Sequence, residues 1–176
     1  FADMDGDGDL DMISGENDGI FNYYKNIGTP TNPIFTEMSP GNNPLTGFDV
    51  GEDNKMELVD IDGDGDFDLF CGEEDGILNF FENTGTAYIP EFTQRTGASN
   101  PMRGEDVGRD SNPTFCDLDN DGDFDIIVGE DGGTMYYFEN TGTASAPSFT
   151  RRTDEENPVA EFDIGDEAAP AFVDMD

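Results

Sequence analysis

PTFCDLDNDGDFDIIVGEDGGTMYYFENTGT, residues 113–143, holds the elements from which the fold can be read. Pro113 opens a short run of β-branched and aromatic residues, which predicts an extended strand leading into the acidic loop DLDNDGDFD at 117–125. Behind the loop, FDIIVGE (124–130) is apolar without alternation, as a strand covered on both faces is. EDGG then turns the chain back into TMYYFEN (134–140), a third strand rich in aromatics, so that the two form a hairpin. After NTGT and a proline-containing loop, SFTRR (148–152) alternates apolar with polar and reads as an exposed outer strand. The stretch that follows has Pro, Gly and Asp too often for a helix and is a connection.

The same stretch occurs three times. Loops DMDGDGDLD at 3–11 and DIDGDGDFD at 60–68 precede the one at 117–125, and Asp3, Asp60, Asp117 and Asp174 lie 57 residues apart without an insertion or deletion. Repeats therefore run 1–57, 58–114 and 115–171, with 172–176 opening a fourth, and the mid-motif ends lead to the expectation of a fragment of a longer chain. Nineteen of the 57 positions are identical in all three copies, including five loop aspartates and the Gly-Glu pairs Gly15-Glu16, Gly72-Glu73 and Gly129-Glu130. Four short antiparallel strands per repeat cannot cover both faces of their own sheet, so each unit must stack on its neighbours. The predicted class is all-β: tandem four-stranded antiparallel blades of 57 residues.

The loops point to calcium. That ion takes six to eight hard oxygen ligands, and in DMDGDGDLD the first, third, fifth and ninth positions are carboxylates, with a glycine at the sixth to allow the sharp bend. The candidate ligands are Asp3, Asp5, Asp7 and Asp11 with the backbone carbonyl of Asp9; Asp60, Asp62, Asp64 and Asp68 with that of Asp66; and Asp117, Asp119, Asp121 and Asp125 with that of Asp123. Asp174 and Asp176 start a fourth set. Carboxylates crowded this closely repel one another unless a cation sits among them. Zinc would want His or Cys, and the chain has no His; magnesium demands a tighter octahedron and keeps its waters. The twelfth position holds Ser14, Cys71 or Val128 in place of the EF-hand glutamate. One calcium per complete repeat is expected, three in all.

With 42 acidic residues against 7 basic ones the net charge is −35, of which three divalent ions would cancel six units. Nucleic acid and anionic membranes are poor partners for such a surface. The 34% hydrophobic content and 15 Phe suffice for a core, and no apolar stretch is long enough to span a membrane. Cys71 and Cys116 occupy different repeat positions and read as small buried fillers, not a disulfide. Tyr23, Tyr24, Tyr136 and Tyr137 fit core packing better than sugar stacking, and Arg151-Arg152 fits surface ion pairing. Catalysis has no candidate: the crowded carboxylates belong to the loops, and Glu16, Glu73 and Glu130, present in every copy, serve the blade.

The DxDxDGxxD loop, an apolar strand ending in Gly, a hairpin to YFEN, and NTGTxxxPxFT behind it resemble the FG-GAP or VCBS-type repeat of integrin-α-like β-propellers. The resemblance covers all three repeats. It implies one four-stranded blade per repeat, with calcium in the loop between the first two strands. Three copies cannot close a propeller of four to eight blades, which leaves a larger propeller or an open, filament-like array. The resulting expectation is an extracellular, secreted or cell-surface protein that is calcium-binding and structural or adhesive, a stalk or fibre whose partners are neighbouring repeats or copies of itself. The alternatives are a propeller that binds protein or carbohydrate through variable loops at 30–34, 87–91 and 144–148, or a non-catalytic accessory region of a secreted enzyme.

Overall fold

The computed structural model describes residues 1–172; the start of the fourth copy, with Asp174 and Asp176, lies outside the described residues. The described residues form eleven short strands: β1 (Met12–Gly15), β2 (Phe21–Asn26), β3 (Phe35–Glu37), β4 (Lys55–Val59), β5 (Asp68–Gly72), β6 (Leu78–Asn83), β7 (Phe92–Arg95), β8 (Asn112–Cys116), β9 (Asp125–Gly129), β10 (Met135–Asn140) and β11 (Phe149–Arg152). They form three antiparallel sheets in the orders β1-β2-β3, β4-β5-β6-β7 and β8-β9-β10-β11. Each sheet is a simple meander, because every loop between consecutive strands is short enough to join neighbours. The helical content of the described residues is two single 3-10 turns, Gly97–Ser99 and Asp154–Glu156, at equivalent places in the connections.

The second and third sheets have the four strands expected of a repeat. The first has three, because the positions equivalent to Lys55–Glu57 fall before Phe1, and what remains of the inner strand is the single bridge between Ala2 and Asp11. The divisions at 57/58 and 114/115, counted from the loops, run through β4 and β8. Each inner strand therefore begins a few residues before the repeat counted from its loop, directly after the connection.

β5 and β9 are buried along their whole length. Their continuous apolar character follows from stacking: successive side chains point to opposite faces, so that in β5 Leu69 and Cys71 meet the first blade and Phe70 the third, while in β9 Ile126 and Val128 meet the second. Between the second and third sheets lie Val59, Ile61, Phe70, Leu78, Phe80, Met102, Val107, Phe115, Ile126, Val128 and Phe138. Between the first and second lie Ala2, Met4, Ile13, Phe21, Tyr23, Leu45, Val50, Leu58, Leu69, Cys71 and Phe81, which are the same positions one repeat earlier. The core is thus one interface used twice. Phe70 stacks on Phe80 with ring centroids 4.5 Å apart and also meets Phe115 of the next blade at 4.8 Å.

The inner strands β4 and β8 lie side by side, and the Gly of each Gly-Glu pair, at the end of the second strand, lets the chain that follows the connection pass close to it. A Cβ on Gly72 would stand 2.0 Å from the Ser111 carbonyl oxygen, and one on Gly129 2.2 Å from that of Ala168. The glutamate beside it closes the hairpin: Glu130 accepts backbone N–H bonds from Gly132 (2.7 Å) and Thr134 (3.0 Å), which hold its carboxyl below the usual range against the opposing effect of burial. Glu73 accepts from Asp75 and Ile77 in the same way. The Asn of each Asn-Pro turn reaches back to the third strand of its blade, Asn43 to the Phe21 carbonyl (2.8 Å) and Asn100 to that of Leu78 (2.9 Å). Cys71 is fully buried and Cys116 half-buried; both are free, and burial pushes the Cys116 thiol up to about 11.

Candidate metal centres

Each acidic loop joins the inner strand of its blade to the second strand. Its curvature depends on left-handed backbone at the fourth and sixth positions: Gly6 (φ +71°) and Gly8 (+89°), Gly63 (+73°) and Gly65 (+96°), Asn120 (+62°) and Gly122 (+100°). Asn is among the few residues with a side chain that tolerate this region, which explains why the third loop survives the loss of its first glycine. The aspartates wrap the loop around themselves. The first carboxylate accepts N–H groups across the bend, as Asp3 does from Gly6 (2.7 Å) and Gly8 (3.0 Å) and Asp117 from Asp121 and Gly122 (both 3.1 Å). The third and fifth each accept from the N–H two residues on, at 3.1 to 3.3 Å in all three loops.

The first, third and fifth carboxylates come together in every copy. One oxygen each from Asp3, Asp5 and Asp7, from Asp60, Asp62 and Asp64, and from Asp117, Asp119 and Asp121 lie within 4.8 Å of one another. The seventh-position side chains, Asp9, Asp66 and Asp123, are nine-tenths buried against them, and each has a carboxylate oxygen with no hydrogen-bond partner. Asp60 carries another such oxygen. Burial first, and then the neighbouring loop carboxylates, raise Asp9, Asp123 and Asp66, the last to about 6. Asp62 and Asp119 are raised for the same two reasons.

The ninth-position carboxylates hold the loop to the sheet. Asp11, Asp68 and Asp125 are buried, and Oδ1 of each accepts the backbone N–H that ends the third strand, from Asn26 (2.7 Å), Asn83 (2.7 Å) and Asn140 (2.8 Å). Oδ2 of Asp11 accepts the Tyr23 hydroxyl (2.8 Å) and the Met4 N–H; Oδ2 of Asp125 accepts the Tyr137 hydroxyl and the Leu118 N–H, both at 3.1 Å. In the middle blade Phe80 stands where these tyrosines are and offers no hydroxyl. Burial and the charges of Asp62, Asp66 and Asp64 push Asp68 up to about 7, partly opposed by the Asn83 N–H. Both tyrosines are core residues with a polar handle, and the sequence signal for that role was their recurrence at one register position of the third strand.

The same asparagines organise the next loop. Asn26 Oδ1 accepts from Gly28 (3.0 Å) and Ile34 (2.9 Å), and Asn83 and Asn140 repeat the pattern. The variable loop that follows leans on the acidic loop of the preceding blade: a Cβ on Gly6 would fall 1.6 Å from the Tyr88 ring. The stretch 87–91, a ligand-binding candidate by its variability, thus places Tyr88 against a neighbouring loop. A cavity of about 400 Å³ elsewhere, where the blades meet, is lined by Gly15, Glu16, Asn17, Asp53, Asn54, Lys55, Asp110 and Glu167.

The position before Asn26, Asn83 and Asn140 differs between blades. Lys25 binds Asp5 through its ammonium and lies 3.5 Å from Asp7. Its equivalents are acidic and are paired along the sheet, Glu82 with Arg95 at 2.6 Å and Glu139 with Arg152 at 2.8 Å. Of the basic pair at 151–152, Arg152 makes the expected surface ion pairs, with Glu139 and Glu156, whereas Arg151 lies 4.2 Å over the Tyr136 ring and is held by a cation–π contact instead.

Meandering antiparallel sheets stacked face to face, each with an acidic loop between its first two strands, define a β-propeller-like repeat protein. Residues 60–128, from the second acidic loop into β9, match the family model described as FG-GAP-like repeat, and this stretch of the chain is an FG-GAP-type repeat. The internal identity at a step of 57 residues carries the same loop and strands to either side of it. No curated protein and no solved structure matches the chain. Repeats of this type are typical of extracellular proteins, and among the described residues no helix is long and apolar enough to cross a membrane.

Proposed function

We propose that the chain is a calcium-stabilised extracellular module with a structural or adhesive role, built to hold stacked blades rigid. One observation carries the reading: three equivalent triads of carboxylates, each backed by a buried seventh-position carboxylate oxygen that lacks a partner. An orphaned buried oxygen is costly. A hard dication at each triad would satisfy it and cancel the repulsion that the raised aspartates register. The first, third and fifth carboxylates would hold the ion, the seventh position would complete its shell, and the ninth would tie the loop to the sheet.

The structural role follows from where the loops sit. Each is bonded through its ninth aspartate to the third strand of its own blade, and Tyr88 brings the next blade onto the first loop. Fixing the loop therefore stiffens the blade and its contact with the neighbour. The titratable side chains of the loops are committed to this architecture, which favours a non-catalytic module. A role as stalk, adhesin or fibre is consistent with an interface that repeats unchanged at each step.

Thermal denaturation of the whole chain with calcium chloride, with magnesium chloride and with a chelator tests the reading. Calcium is expected to raise the melting temperature by 10 °C or more, on the order of three sites each bound well below the added concentration. Identical melting in calcium and chelator would overturn it.

A further inference from the structure

The three loops are alike in their aspartates and unlike in one neighbour. In the second and third blades the residue that precedes the terminal Asn of the third strand is Glu82 or Glu139, close enough to add its charge to that of Asp62 or Asp119. In the first blade it is Lys25, whose ammonium bonds Asp5 and lies 3.5 Å from Asp7, two of the three carboxylates of the triad. The change is matched across the sheet. Arg95 and Arg152 neutralise Glu82 and Glu139 from the outer strand, whereas the residue equivalent to these arginines in the first blade is Met38. The ammonium is therefore directed to the loop, with no acidic partner on its own sheet to draw it away.

Building on the reading of the loops as calcium sites, we infer that they are graded: Lys25 is a tethered counter-ion that makes the first loop a weak calcium site beside two tight ones. A cation entering the first triad must displace the ammonium from Asp5 and Asp7 or bind beside it. A unit charge held at contact distance from a dication lowers its affinity by about ten-fold or more, even at a solvated surface. The second and third loops carry no such competitor. The seventh-position oxygen is buried and unpartnered in all three loops, on Asp9, Asp66 and Asp123, so what sets the first loop apart is the ammonium at its triad. Occupancy then rises in two stages with calcium concentration. The first blade stays loosely tied, its loop closed by lysine, at calcium levels that have already fixed the other two.

Isothermal titration of the whole chain with calcium chloride distinguishes the outcomes. Two tight sites and a third at least about ten-fold weaker are expected, and Lys25→Gln should raise the third to match the others while leaving those two unchanged. The two unchanged sites report that the variant is folded. Transplanting the first blade's pair into the second, as Glu82→Lys with Arg95→Met, should leave one tight site and two weak ones. Three equal sites in the unaltered protein, or a weak site indifferent to Lys25→Gln, would overturn the grading and leave calcium binding standing. Absence of any calcium uptake would overturn both.

Discussion

Tyr137→Phe isolates the strut that joins an acidic loop to its sheet. The hydroxyl of Tyr137 donates to Asp125 Oδ2 at 3.1 Å, and both residues are almost completely buried, at 4% and 1% exposure. Phenylalanine keeps the ring and opens no cavity, so the loss is confined to one hydrogen bond to a buried carboxylate. Oδ2 retains the Leu118 N–H and Oδ1 the Asn140 N–H, so the carboxylate is weakened and not orphaned. A bond of this charge-assisted kind contributes about 1.5–3 kcal/mol, and the remaining partners place the expected cost at the lower end, about 1.5–2 kcal/mol. For a chain of 176 residues that is a fall in melting temperature of about 3–8 °C. Urea denaturation followed by circular dichroism, in chelator so that metal does not mask the change, measures it. The middle blade supplies the reciprocal experiment: Phe80→Tyr places a hydroxyl at the register position from which Tyr23 and Tyr137 reach the ninth aspartate, and a gain of about 1 kcal/mol is expected. A Tyr137→Phe midpoint within about 0.3 kcal/mol of the parent would refute the reasoning, because it would mean that the hydroxyl contributes nothing to holding the loop.

Metal-free stability should fall as pH rises: burial and neighbouring loop carboxylates raise Asp66 to about 6 and Asp68 to about 7 in the folded chain, against about 3.9 when unfolded. The fold therefore holds protons that the unfolded chain has released between about pH 4 and 7, and its urea midpoint in chelator should be higher at pH 5 than at pH 8. A midpoint that rises with pH would contradict this. Calcium, which needs the same carboxylates unprotonated, should stabilise more at pH 8 than at pH 5. Gly72→Ala puts a Cβ 2.0 Å from the Ser111 carbonyl oxygen and should cost about 1–3 kcal/mol by forcing the end of β5 and the start of β8 apart; an unchanged urea midpoint would show that this contact has slack. Ile126→Ala, at a fully buried position between the second and third blades, should cost about 2–5 kcal/mol, and a loss under about 1 kcal/mol would mean that the blades are not held by this interface.

Four features were legible without coordinates: the period, the order of strands, the buried second strand and the acidic loops. Each is a local statement. Continuous apolarity in FDIIVGE, the Gly-rich hairpin and the alternation in SFTRR depend on neighbours a few residues away, and an uninterrupted step of 57 residues averages such signals over three copies. The candidate ligands were legible for the same reason, since the first, third and fifth carboxylates are gathered by bonds that span two to five residues. The ninth aspartate shows the limit of that reading. Its spacing matches a ligand, and only the strand pairing reveals that its oxygens face Asn26 N–H and the Tyr23 hydroxyl, fifteen and twelve residues away.

What the sequence determined by itself is therefore the blade and its loop, because both are made of contacts between residues close in the chain. The tertiary structure decided how blades meet: that Gly72 is required by Ser111 of the next inner strand, that Tyr88 rests on the preceding acidic loop, and that the two interfaces are one set of positions shifted by a repeat. It also decided that Lys25 reaches Asp5, twenty residues away, while Glu82 and Glu139 pair with arginines across the sheet. Spacing along the chain cannot carry such information, since it depends on which strand lies opposite and which face of the sheet a side chain takes. That is why three loops nearly identical in sequence have different electrostatic surroundings.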